Sequence, residues 1–429
     1  MDHIRNPDAL SFVLERAKDL PVDIIGLNVT GRNDVRFEVL AAHMRHIRTL
    51  CLGFDLIGRE FRMRKPGRAY TAFNMAAPLL ERISMHSPRA VRPDDLLQVF
   101  CYFGIPATTM PRLSSLQLHG VELDNEFFRQ IQSLRSFSFS GREDTGFFGS
   151  AVPEHVSQIL HNLTTINLEL AGWSQAEAFS VLGPAVQRIS IRWTKPGFYV
   201  PRDSIPSRAG WSSIRAVHVA HVRSSTDIQS AVLLPSTAYS IPRTTAPYRS
   251  ISIRTSGSPD IRVHAQAIDS QGRERVLCGL HPATVTRMVA QLSGHELSTI
   301  TISTTAVVHG VLSSVHCPAL ICLRIVLDTD DITWFNVLAR DMLSISTLER
   351  LEFSREPAFT WSTAIIMSVL ASCVATGNQI HEVAFRGFDP GAQFVTSAKI
   401  FAQVVSIHRE WSEPEIERIW FMEAPFEWF

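Results

Sequence analysis

Eight arginines, Arg82, Arg188, Arg192, Arg254, Arg324, Arg350, Arg386 and Arg418, stand at the second, fourth or sixth residue after the start of a short recurring pattern. Three acids, Glu169, Glu352 and Glu382, share those offsets. Arginines gathered on one surface suit the capture of carboxylate or phosphate, because the planar fork of donors matches both anions two bonds at a time. They also have a plainer use, since charged side chains on open strands discourage sheets from adding to one another. Other chemistry has thinner support. Asp328-Thr329-Asp330-Asp331 gathers three carboxylates that could hold a divalent cation, but the calcium-loop spacing is absent and Asp331 is placed to cap a following helix. His309 and His316 stand seven apart without the acid of an HExxH helix, which reads as packing or surface histidines. No GxSxG turn, GxxxxGK[ST] loop or GxGxxG strand-turn-helix occurs. Cys51, Cys101, Cys278, Cys317, Cys322 and Cys373 form neither a CxxC pair nor a regular framework, so reduced thiols are expected. No catalytic residue, cofactor or metal site is expected, and the chain reads as a non-enzyme.

The pattern that carries these residues is an apolar residue, two others, an apolar residue, one other and an apolar residue, as at Leu113, Leu116 and Leu118. It begins at Ile24, Ile47, Leu80, Leu113, Leu134, Leu163, Val186, Ile214, Tyr248, Leu297, Leu320, Leu348, Ile380 and Ile416, 21 to 49 residues apart. Recurrence at such a period marks stacked strand-plus-connection units, and this pattern is the strand half of a leucine-rich repeat. The expected fold is an α/β leucine-rich-repeat solenoid, a horseshoe with parallel strands on its concave face and helices and irregular loops on its convex face. Each interval is long enough for the crossover that parallel strands require.

Helical spacing fills several intervals. Asp8 to Lys18, entered through Asn6-Pro7, and Asp34 to Arg45 are expected as helices, as are the stripes Ile332, Phe335, Ala339, Met342, Leu343 and Phe394, Ala398, Phe401, Val405, His408. Residues 1–429 read as a single irregular solenoid of about fourteen repeats, with a hinge and surface loop at 235–247. A hairpin insertion is expected at 261–280, where Asp269-Ser-Gln-Gly272 supplies turn chemistry.

With the three pattern residues turned into the core, the second, fourth and sixth positions face the other way, onto the concave surface. Serine and threonine fill 15 of those 42 positions, and the face is expected to be solvated. The partner-binding candidates are Arg188, Arg192, His218, Arg254, Arg324, Arg350, Glu352, Arg386, Arg418 and Trp420. Trp420 could anchor a partner, or could fold with Phe426, Trp428 and Phe429 over the end of the solenoid as a cap.

Composition sets outer limits. The 41 basic and 41 acidic residues cancel, which argues against wholesale attraction to nucleic acid or to an anionic membrane. The longest apolar-rich run, Ala364 to Ala375, is too short to cross a bilayer, and the amino terminus lacks a secretory apolar stretch, so a cytoplasmic or nuclear protein is expected. Arg59, Arg62, Arg64, Lys65 and Arg68 form a basic run in an expected loop.

Three stretches, Leu14–Ile24 (LERAKDLPVDI), Ala77–Ile83 (APLLERI) and Met110–Leu118 (MPRLSSLQL), give the chain its resemblance to leucine-rich-repeat proteins of the fungal F-box type. That resemblance implies a substrate receptor of a cullin-type ubiquitin ligase, with ligase subunits and an acidic or phosphorylated protein as partners. Two departures matter. The family's consensus asparagine after the strand is replaced by Asp55, Val121, Arg142, Ala171 and Asp328, so the turns must be held differently. The first strand arrives by Ile24, which leaves no room for the F-box itself. The alternative is therefore a structural scaffold, or a remnant without an F-box, that self-associates through its carboxyl-terminal end.

Overall fold

Successive side chains of a strand point to opposite faces of the sheet, so one face takes the apolar triplet and the other takes what remains. A computed structural model of the 429-residue chain describes residues 6–30, 34–54, 68–73, 75–91, 110–121, 131, 133–140, 162–170, 185–193, 214–221, 246–255, 263–280, 282, 285–286, 296–311, 317–329, 331–341, 347–355, 362–375 and 380–408. These residues fall into two compact units, one through Ile214 and the other from Arg215 onward.

The first unit carries β1 (Val22–Val29), β2 (Ile47–Phe54), β3 (Arg82–Val91), β4 (Ser115–Val121), β5 (Ser136–Ser140), β6 (Thr165–Leu170) and β7 (Arg188–Trp193). They pair in chain order and all in parallel. Helices α1 (Pro7–Ala17), α2 (Arg36–His43) and α3 (Arg68–Phe73) lie at its start. Asn6 caps α1 by accepting from Asp8 N at 2.9 Å, with Pro7 at the first turn where its missing N–H costs nothing. Asp34 does the same for α2, taking the Arg36 N–H at 3.0 Å while also pairing with the Arg36 guanidinium. Leu10, Leu14, Phe37, Leu40 and Phe73 are buried, and the Phe37 and Phe73 rings meet with centroids 6.1 Å apart.

The second unit carries β8 (Ala216–His221), β9 (Tyr248–Thr255), β10 (Val263–Asp269), β11 (Glu274–Leu280), β12 (Thr299–Ser303), β13 (Cys322–Leu327), β14 (Arg350–Arg355), β15 (Ile380–Arg386) and β16 (Ala402–His408). Their spatial order is β8-β11-β10-β9-β12-β13-β14-β15-β16. The parallel rule is broken once: β10 runs antiparallel to both β9 and β11, while β11 is parallel to β8 and β9 is parallel to β12. Tyr248 therefore does not open the strand next to β8, as a plain repeat count would have it, because a three-stranded meander stands in that place. Its β10–β11 turn is held by Asp269, whose Oδ1 accepts from Gln271 N and Arg273 N at 2.9 Å each, and by Gly272 at φ 74°.

Helices α4 (Thr304–Val308), α5 (Thr333–Asp341), α6 (Thr363–Ala375) and α7 (Ala392–Ala398) cover one face of this sheet. Ala306, Val307, Leu338, Ile366, Val369, Leu370 and Phe394 pack with the strand triplets, from Tyr248, Ile251 and Ile253 to Ile380, Val383 and Phe385, in one apolar cluster. Each such side chain contributes about 1.5 to 3 kcal/mol of burial before chain entropy is set against it. Asp331 accepts from Thr333 N at 2.9 Å and so caps the start of α5.

The helix read over 394–408 is a correction. The stripe Phe394, Ala398, Phe401, Val405, His408 is split between α7 and β16, which pairs with β15 along Ile380↔Ala402 to Arg386↔His408. Val404 and Val405 are β-branched and prefer the pleated surface, and the ladder offered by β15 decides the matter over an accidental helical spacing. No described helix is long and apolar enough to cross a membrane.

Candidate functional site

The register of β13, β14 and β15 puts Arg324 directly across from Glu352, and Arg350 directly across from Glu382. Arg386 lies diagonally beyond, two residues further along β15 than Glu352's partner Ala384. All of these residues occupy the second, fourth or sixth pattern position, on the sheet face opposite the helices. Arg386 Nε donates to Glu352 Oε2 at 2.8 Å, and Arg324 Nε approaches the same oxygen at 3.0 Å. Arg350 Nε lies 2.9 Å from Glu352 Oε1 and its Nη1 lies 3.2 Å from Glu382 Oε2. Despite that short distance, neither Arg350 Nε nor Glu352 Oε1 has a hydrogen bond among the described residues, so their contact is one of charge. Glu382 is held from its other side by the Ser406 hydroxyl of β16, which donates at 2.7 Å.

Three guanidinium groups thus converge on one carboxylate that is only 2% exposed, while their own side chains are 45%, 34% and 33% exposed for Arg324, Arg350 and Arg386. Burial would raise the Glu352 carboxyl, and the Arg386 hydrogen bond with the charges of Arg324, Arg386 and Arg350 more than offsets it, holding Glu352 below the usual glutamate range. Glu352 therefore stays ionised and fixes the arginine stems.

A second polar group lies on the same face of the meander. His218 Nε2 is 3.3 Å from Glu274 Oε2, and Gln266 Nε2 donates to Glu274 Oε1. His264 Nδ1 accepts from Gly279 N at 3.3 Å, which leaves its ring proton on Nε2. Burial pushes the His264 imidazole down to about 3, so it is neutral. Arg254 stands opposite His264 in the β9–β10 register.

The face is less solvated than its serines and arginines suggest. Glu352 is buried, as are His218, Arg254, Thr301 and Val326. The reason is local: arginine and histidine stems lying across a strand row close it off from water. Among the residues picked out by spacing, Arg324, Arg350, Glu352 and Arg386 come together, and His218 joins Glu274. Arg188 is exposed on β7 of the first unit. Arg192 lies in β7 with its side chain outside the described residues, and Arg418 and Trp420 lie outside them altogether. Sequence reasoning missed Gln266 and Glu274, because nothing in the apolar pattern announces that β11 lies beside β8. It left Ser406 inside a helix and so missed that residue's bond to Glu382.

No protein-family model matches this chain, and no curated protein does. Among solved structures, the chain is similar to the leucine-rich repeat-containing protein LegL7 from Legionella pneumophila, at 10% identity over 94% of this chain and 98% of that one, with a TM-score of 0.29. The repeat character of the present fold rests on its own strands: buried triplets, in-register parallel pairing and helices on one face.

Burial disfavours the thiolate at the buried cysteines. Burial pushes Cys317 up to about 11 and Cys373 up to about 12. Among the described residues, no three His, Cys, Asp or Glu side chains gather so as to hold a metal ion.

Proposed function

We propose that the chain is a recognition module, not an enzyme, that holds a protein partner on the sheet face opposite its helices, centred on β13 to β15. The observation that carries this reading is the arginine trio, part-exposed yet fixed in place by the buried Glu352. Side chains ordered before binding lose little freedom on binding, which favours affinity. Arg188, Arg192, His218, Arg254, Arg418 and Trp420 share the pattern offsets and belong to the same reading as its wider candidates.

Ser354 lies between Val326 and Arg386 in the strand register, which makes it a place to block the face without removing a charge. Tagged wild-type chain and Ser354→Trp are compared for the proteins each captures from native lysate, with the melting temperature of both recorded. Loss of specific proteins with Ser354→Trp at unchanged melting temperature supports docking on this face. Full retention places the site elsewhere. Cullin-ligase subunits among the captured proteins would support the finer reading, a substrate receptor of a ubiquitin ligase. The alternative, a scaffold that self-associates through its carboxyl-terminal end, requires concentration-dependent sedimentation that disappears when residues 424–429 are removed.

A further inference from the structure

We infer that the arginine trio takes a carboxylate side chain from an acidic, unphosphorylated peptide segment, an assignment that rests on the docking face proposed above. As a purely structural device the cluster is poorly arranged. Two guanidinium groups share Glu352 Oε2, at 3.0 and 2.8 Å, while Oε1 has no hydrogen bond. Those distances hold the two Nε atoms within about 6 Å of each other, so two like charges are drawn together where one would have sufficed to pair the acid. A third, Arg350, is added to the same carboxylate.

The charges do not cancel. Arg324, Arg350 and Arg386 bring three positive charges against two negative ones from Glu352 and Glu382, leaving an excess of one on a part-exposed surface. Arg324 and Arg386 turn their Nε groups inward on Glu352, while their side chains stay 45% and 33% exposed. A planar fork in that state is suited to a second carboxylate approached from outside. One carboxylate neutralises the excess. A phosphate monoester, carrying about −1.5 to −2 charges, would overshoot it next to Glu382, whose side chain is 21% exposed.

The experiment uses the full chain and three fluorescein-labelled decamer libraries, with random residues flanking a central Glu-Glu, Gln-Gln or phosphoserine. The Glu-Glu library should be retained at least tenfold better than the Gln-Gln library, and Arg324→Ala should remove most of that preference. Glu382→Gln raises the local excess from one charge to two, and should tighten Glu-Glu retention several-fold, a gain that a merely structural ion ladder would not give. Equal retention of all three libraries, retention of none, or preference for phosphoserine overturns the inference. If charge variants are without effect while Ser354→Trp still abolishes partner capture, the acidic chemistry falls and the docking face stands. If Ser354→Trp is without effect as well, both fall.

Discussion

Asp328, at the end of β13, reaches back to Thr304 at the start of α4: its Oδ1 accepts from the Thr304 hydroxyl at 2.9 Å and from Thr305 N at 2.8 Å. Its Oδ2 takes the Thr255 hydroxyl at 2.6 Å from one repeat earlier still, and Thr255 in turn meets Ser303, which caps α4 through Ala306 N. One carboxylate therefore closes backbone and hydroxyl groups across β9, β12 and β13, at the position where the resembled family carries asparagine. Asp328→Ala should cost about 2 to 4 kcal/mol, since it leaves buried donors unmet. Asp328→Asn keeps the Oδ1 acceptor and should cost about 1 kcal/mol or less. Urea denaturation of both variants checks the difference.

Glu352 should matter far more to the fold than any arginine it holds. Glu352→Ala leaves three guanidinium groups facing one another without their shared acid, and should destabilise by about 3 to 5 kcal/mol. Arg324→Ala removes one of the three partners of Glu352, an arginine 45% exposed and so screened by water, and should cost about 1 kcal/mol or less. A larger loss for Arg324→Ala than for Glu352→Ala in chemical denaturation would contradict this arrangement.

His264 makes stability depend on pH. Its folded imidazole lies at about 3 against an ordinary 6.5, so the unfolded chain binds the proton first as pH falls. The contribution is complete above about 6.5 and drains away below it, reaching roughly 2 kcal/mol by pH 5 at about 1.4 kcal/mol per pH unit. Glu352 and Asp269 are held below their ordinary values, so their share is lost only at more acid pH. His43, lowered first by burial and then by His46, acts in the same direction as His264. The melting temperature should fall from pH 7.5 to 5, and His264→Gln, which keeps an acceptor for Gly279 N, should flatten that fall.

Gly53 faces Asn28 across β1 and β2. A Cβ at Gly53 would lie 2.0 Å from Asn28 Oδ1, its register partner across β1 and β2. The atom met is the end of the exposed Asn28 side chain, which can turn aside, so Gly53→Ala should cost about 1 kcal/mol or less. Asn28→Ala combined with Gly53→Ala should cost less than the two single changes added together, a coupling that a double-mutant cycle in thermal denaturation measures.

The strands were legible because their apolar triplets are a burial rule written directly in the residues. Leu323 and Ile325, or Leu351 and Phe353, have no other face to turn to. The site was half legible for the same reason: register follows from the triplets, so Arg324, Arg350, Glu352 and Arg386 could be put on one face without knowing their contacts. What spacing lacks is depth. Glu352 reads as a solvated acid until the stems of its neighbours are laid over it. It also lacks the tertiary choice that turns Ala402–His408 into a strand, since Val405 and His408 satisfy a helical stripe equally well until β15 supplies a ladder. The reversed β10 hid the pairing of β8 with β11, and with it the bond between His218 and Glu274.

That reversed strand also bears on the order of assembly. A run of simple repeats can be laid down as it leaves the ribosome, each strand finding the one just made. β8 has no such neighbour on its β11 side: residues 216–220 pair with 274–278, which are synthesised only after β9 and β10. At about 5 to 20 residues per second, this stretch of the nascent chain keeps that strand edge open for several seconds. The meander's own hairpins are local and can close within microseconds of emerging, so the second unit should nucleate there and gather β8 backward while the later repeats extend forward.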